Sequence, residues 1–283
     1  MVKRVITAIV LLAAAFALIV FKGWVLRGAL LVMAGVSMYE MHAAFAKKGM
    51  KPARWPAYLF CVLIVLGTAF EEKLAFLQLS PALYALMICV TAGLISVILK
   101  GQPDFDGIVA TVFPILYPGM FYFCFMRLQN LRGRGIVELA LVLTILLPSM
   151  NDTFALFVGR AMGKRKLIPG ISPNKTVAGA VAGIVASVVF AVAAGLLFPL
   201  IDRAVSGAEG AAELFPIWGF ALFGLISGFV SQMGDLMASL VKRYCGIKDY
   251  GNLFPGHGGM MDRMDAILFN SVLTCLFFLA LGF

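Results

Sequence analysis

Apolar residues in this chain come in long runs separated by short polar segments, with little alternation between faces. Runs near 5–21, 24–43, 57–70, 74–99, 108–126, 136–158, 176–200, 216–241 and 266–283 each predict a membrane-crossing helix. A hydrocarbon core of about 30 Å takes about 20 apolar residues of helix. The run at 57–70 is short, and Pro81 interrupts the one at 74–99. Strands of a membrane barrel would need ten-residue alternation, which is absent. The predicted fold class is therefore all-α, a polytopic helical membrane protein with about nine transmembrane helices. Residues 1–135 form its N-terminal transmembrane helices, and 136–283 its C-terminal transmembrane catalytic region.

Composition sharpens this. Of 283 residues, 62% are hydrophobic and 13% charged, against about 45–50% and 25% in soluble domains. An ordinary soluble enzyme, a disordered chain and a coiled coil are excluded, and no stretch is long enough for a separate soluble domain. The net charge of +9 reads as loop bias and attraction to anionic lipid, not as nucleic-acid binding. With the N-terminus inside, the inner segments carry 16 Lys and Arg and the outer ones 6. Arg127, Arg132 and Arg134 run against that bias. The start, Lys3-Arg4 followed by an apolar run, is similar to a signal peptide but shows no cleavage site, and is read as a retained span. The five cysteines lack C-x-x-C spacing and read as small hydrophobes.

Two inner segments, Gly159 to Lys175 and Lys242 to Asp265, are polar and glycine-rich. Acidic residues near them are costly in a membrane. Asp152 and Asp235 each lie about 9 Å inside the inner boundary of a span. Asp262 and Asp265 open the last span and share a helical face. Carboxylates at one depth repel unless cations neutralise them, and Mg²⁺ prefers carboxylate and water oxygens. Pairing with nearby Lys or Arg, or helix capping, is the alternative. Lys242, Arg243, Lys248 and Arg263 surround the acidic pair, and Lys164, Arg165, Lys166 and Lys175 fill the other loop. Cations beside a carboxylate–metal set suit a polyphosphate substrate. In Gly256-His257-Gly258-Gly259, glycines let backbone amides approach an anion, and His257 is a candidate to bind phosphate or move a proton, though taken alone it reads as a helix-capping or loop-packing histidine. Ser172-Pro173-Asn174-Lys175-Thr176 is not a P-loop, because Asn174 stands where that motif needs glycine.

The segment Ser239-x-x-Lys242-Arg243, Lys248-Asp249, Pro255-Gly256-His257-Gly258-Gly259-Met-Met-Asp262-Arg263-Met-Asp265 resembles the signature of the phosphatidate cytidylyltransferases (CDP-diacylglycerol synthases). Upstream, Asp152-Thr153, Gly159-Arg160, Gly163-Lys164, Ser172-Pro173-x-Lys175-Thr176 and Gly234-Asp235-Leu236 are similar to the family's central region. Val177 and Ala178 depart from it, where the family often has an aromatic and an acidic or amide residue.

The resemblance implies transfer of the cytidylyl group of CTP to phosphatidate, giving CDP-diacylglycerol and pyrophosphate, with Mg²⁺ and room for a second cation. It implies metal ligation by Asp235, Asp262 and Asp265, and phosphate contacts from Lys242, Arg243, Lys248, Arg263 and His257. Ser172, Lys175 and Thr176 would hold substrate phosphate from the other loop, and Asp152 a polar or second-cation role. CTP, phosphatidate and membrane lipids are the expected partners, with a homodimer as an open assembly. The expected location is a bacterial inner membrane, active site facing the cytoplasm. A CTP-dependent enzyme acting on another lipid phosphate or a polyprenol is the nearest alternative. An ion-coupled transporter is a further one, weakened because the polar residues gather at one membrane face.

Overall fold

The computed structural model describes residues 17, 20–74, 76–133, 135–206, 216–254, 256 and 258–283. In chain order the helices are α1 (Gly23–Lys47), α2 (Trp55–Ala69), α3 (Pro81–Ile98), α4 (Phe105–Pro114), α5 (Met120–Arg127), α6 (Ile136–Met162), α7 (Val177–Ser206), α8 (Ile217–Tyr244) and α9 (Met261–Ala280). A short π-helical turn, Ile115–Gly119, joins α4 to α5, and a two-stranded hairpin, β1 (Lys166–Ile168) and β2 (Ser172–Thr176), separates α6 from α7. Among the described residues seven helical segments are long and apolar enough to cross a membrane, with Phe105–Asn130 acting as one. The all-α membrane class is thus borne out. Most of the expected span at 5–21 lies outside the described residues.

Two local features differ from expectation. Pro81 does not interrupt a helix; it starts α3, with the Ser80 hydroxyl accepting the Leu83 N–H at 3.4 Å. Proline fits the first helical turn because the N–H it lacks would have no partner there. The loop 159–175 is not irregular throughout. It folds into the hairpin, whose strands pair Lys166 with Thr176 and Ile168 with Ser172. Pro169-Gly170 supplies the turn, closed by the Ile171 N–H on the Ile168 carbonyl at 3.2 Å.

The chain divides into two compact units, Met1–Asn130 with Val241–Met264, and Leu131–Leu240 with Asp265–Phe283. In the first, α1 buries Leu26, Leu30, Ala34, Met38 and Met41, and α2 buries Phe60 and Ile64. The Ser37 and Tyr122 hydroxyls meet inside at 2.8 Å. Pro118 breaks the α4–α5 span, leaving Tyr117 at non-helical angles (φ −139°, ψ 115°). Arg127, one of the arginines that run against the loop bias, pairs with Glu71 at 3.2 Å, which offsets its charge locally.

In the second unit the helices approach closely at glycines. A Cβ on Gly179 of α7 would lie 2.5 Å from the Ala155 carbonyl of α6. One on Gly224 of α8 would lie 2.7 Å from the Ser187 carbonyl of α7, and one on Gly234 of α8 2.6 Å from the Asp265 carbonyl of α9. Small residues at helix contacts are how membrane helices gain packing where lipid offers no hydrophobic drive.

Candidate active site

A cavity of about 650 Å³ opens within the second unit, between α6, the hairpin, the start of α7 and α8. Its polar wall includes Asp152, Arg160, Lys166, Lys175, Thr176 and Asp235. Glycine packing builds it: Gly159 on α6 and Gly163 just past its end face the side chain of Thr176, and a Cβ on Gly163 would collide with it. Lys175 and Asp235 form an ion pair, each about a quarter exposed. The second oxygen of Asp235 accepts the Ser239 hydroxyl at 3.4 Å. Thr176 is buried, and its hydroxyl accepts the Gly179 N–H at 3.2 Å, capping α7. That cap fixes the helix start, whose partial positive charge faces anions favourably. Asp152 is exposed on the cavity wall. Ser172 sits on β2 opposite Ile168, outside the lining of this cavity.

A buried polar network adjoins the cavity, whose lining includes Asn151 and Gln232. The Asn151 amide donates to the Gly228 carbonyl at 2.9 Å and to the Ser187 hydroxyl at 3.2 Å. Gln232 donates to Asn151 at 3.2 Å and to the Ala180 carbonyl at 2.8 Å. Asn270 donates to the Leu143 and Thr144 carbonyls at 3.0 and 3.1 Å and accepts the Ser227 hydroxyl at 2.7 Å. These amides tie α6, α7, α8 and α9 together at the depth of the site. Sequence reasoning passed over Asn151, Gln232 and Asn270, although polar side chains inside apolar runs mark such places. It also left Arg160 without a role of its own.

In the first unit, the segment after α8 is organised around Asp262. Lys242 donates to one carboxylate oxygen at 2.7 Å. The other accepts the backbone N–H of Tyr250 at 2.8 Å and of Gly259 at 3.0 Å. Lys242 also lies over the Tyr250 ring, 5.6 Å from its centre. Gly258 adopts φ +81°, open to glycine without strain, and packs against the Asp262 carboxylate. Arg243, Lys248 and Arg263 are exposed. His257 lies outside the described residues. Cys245 is buried, and burial pushes its thiol above the ordinary range despite an opposing effect of Lys48.

Of the expected metal ligands, Asp235 and Asp265 lie on helices that touch at Gly234, and the Asp265 carboxylate accepts the Ala266 N–H at 2.7 Å. Among the described residues no group of three His, Cys, Asp or Glu gathers at metal-holding distance. Mg²⁺ is usually held by one or two carboxylates together with waters and substrate phosphates; of the expected ligands Asp235 lines the cavity, while Asp265 is buried and does not.

Long apolar helices, a cation-rich cavity and intramembrane carboxylates define a helical membrane protein built to receive an anionic ligand. The sequence matches the Cytidylyltransferase family over residues 2–281, and the chain belongs to that family. It is 32% identical to a phosphatidate cytidylyltransferase of Bacillus subtilis over 222 residues, 78% of this chain and 75% of that one. It is 29% identical to one of Staphylococcus epidermidis over 264 residues, 91% and 94% of the two chains. Over 164 residues it is 40% identical to one of Brucella abortus, 56% and 55% of the chains.

Proposed function

We propose that this protein transfers the cytidylyl group of CTP to phosphatidate, releasing pyrophosphate and leaving CDP-diacylglycerol in the membrane. Family membership over nearly the whole chain supports the reaction. The observation that carries the site is the Lys175–Asp235 pair in a cavity also lined by Arg160 and Lys166. A phosphate oxygen of phosphatidate attacks the α-phosphorus of CTP. That bond forms as the bond to the β-phosphate bridging oxygen breaks, and the electron pair leaves on pyrophosphate.

No covalent enzyme intermediate is needed, so binding, orientation and charge neutralisation are this chain's contribution. Lys175, with Arg160 and Lys166, binds substrate phosphate. Lys242 and the exposed Arg243, Lys248 and Arg263 supply further cations. Asp262 holds Lys242 and the glycine segment in place. Asp235 and Asp265 would hold Mg²⁺, which would supply charge neutralisation at substrate phosphate. Phosphate entering the cavity competes with Asp235 for Lys175.

With a lipid substrate from the bilayer and CTP from the cytoplasm, the reading puts the reaction at the cytoplasmic face of a bacterial inner membrane. The test is incubation of purified protein with labelled CTP and phosphatidate, with and without Mg²⁺. Label in CDP-diacylglycerol is the expected result. Transfer to a polyprenol phosphate or another lipid acceptor with none to phosphatidate would overturn it.

A further inference from the structure

Glu40 is an acidic residue in the membrane-spanning α1, 4% exposed. A buried carboxylate is expensive unless it is well satisfied. Its two oxygens accept the backbone N–H groups of Met260, at 2.9 Å, and Met261, at 2.8 Å. These amides open α9, where N–H groups lack partners within the helix and the dipole favours a negative charge. The preceding amide, of Gly259, is taken by Asp262. Three consecutive N–H groups are thus divided between two carboxylates, and Asp262 is in turn bound to Lys242. Gly251 and Gly259 both press on the Glu40 carboxylate, and a Cβ on either would collide with it. Bare backbone therefore surrounds this side chain on two sides.

We infer that Glu40 is a positioning residue for the reaction. It fixes the glycine segment and the first turn of α9, so that Asp262 and Lys242 stand in one geometry when nucleotide phosphate binds. This rests on the reading above that Lys242 and Asp262 serve the nucleotide. A residue needed only for folding would behave differently. Its loss would lower the folded fraction and leave the kinetics of what folds unchanged.

Glu40→Gln keeps shape and volume but turns an amide donor toward one of the two N–H groups. In full-length purified protein, kcat/KM for CTP per folded molecule falls at least tenfold, while KM for phosphatidate stays within twofold. Gly259→Ala, which retains the carboxylate but displaces it, gives the same pattern and covers the case in which Glu40→Gln fails to accumulate. Glu40→Ala combined with Gly259→Ala is no worse than Gly259→Ala alone, because the collision is gone. Wild-type kcat/KM for CTP in the folded fraction of both single variants would overturn the inference. Lys242→Met, measured alongside, separates the failures. If it too keeps full activity, the reading of the loop is wrong. If it loses activity while Glu40→Gln does not, only the role of Glu40 is wrong.

Discussion

Lys175, on the second strand of the hairpin, is ion-paired with Asp235, in the second half of α8. The pair joins two of the elements that line the cavity, and it puts a carboxylate and an ammonium on the cavity wall. Both groups are only about three-quarters shielded, so exchange of partners is open to them.

Lys175→Met should lower turnover about 10²-fold, the range for removing one preorganised electrostatic contact. Asp235→Asn should do at least as much. The double change should be far less damaging than the product of the singles, since the residues act as a unit. Lys47→Ala, at the exposed end of α1, should leave turnover unchanged. Pyrophosphate release by purified variants measures all four. Equal losses for Lys47 and Lys175 would mean that only bulk surface charge matters.

Chelation should abolish activity and excess Mg²⁺ restore it. If Asp235 and Asp265 hold the metal as proposed, Asp235→Asn and Asp265→Asn should each raise the Mg²⁺ concentration needed for half-maximal rate, because each removes a charged oxygen donor. Asp262→Asn should lose activity with a smaller change in Mg²⁺ requirement, since its oxygens already accept Lys242 and two backbone amides. A Mg²⁺ titration of the three variants decides which carboxylates touch the metal.

Lys242→Met should destabilise the protein by about 3–5 kcal/mol, the cost of leaving one partner of a buried pair uncompensated. The Asp262 side chain is 4% exposed and that of Lys242 12%. Lys242→Met with Asp262→Asn should recover part of the loss, because no charge is then stranded. Thermal unfolding in detergent reads both; a double variant less stable than Lys242→Met would show that the pair is not the source.

Asn252→Cys should react with a membrane-impermeant thiol reagent only from the cytoplasmic side. Native Cys245 should contribute little near neutral pH. Its raised thiol pKa leaves less thiolate there, and reactivity should climb only as pH rises above the ordinary thiol range. Labelling of Asn252→Cys from outside intact cells would reverse the topology.

The helical class, the order of the spans and the polar segments around Lys175 and Asp262 were all legible in the chain. Each is local: a run of apolar residues closes its own backbone hydrogen bonds in lipid, and a motif is read from neighbouring positions. Proline needed more, since Pro81 marks a break in either reading and only the Ser80 cap shows that a helix begins there. Partners were legible only as alternatives. Asp262 reads in the sequence as a metal ligand, or as a carboxylate paired with a nearby Lys or Arg or capping a helix; its carboxylate is met by Lys242 and by two backbone amides that carry no side-chain signature. Glu40 carries no motif around it in the sequence; its partner Met261 is 221 residues away. Such pairings depend on how helices pack, and packing turns on where a missing Cβ lets two backbones touch, as at Gly179, Gly224 and Gly234. A single sequence shows those glycines but not the helix each one faces, so the tertiary structure alone decides which charges meet.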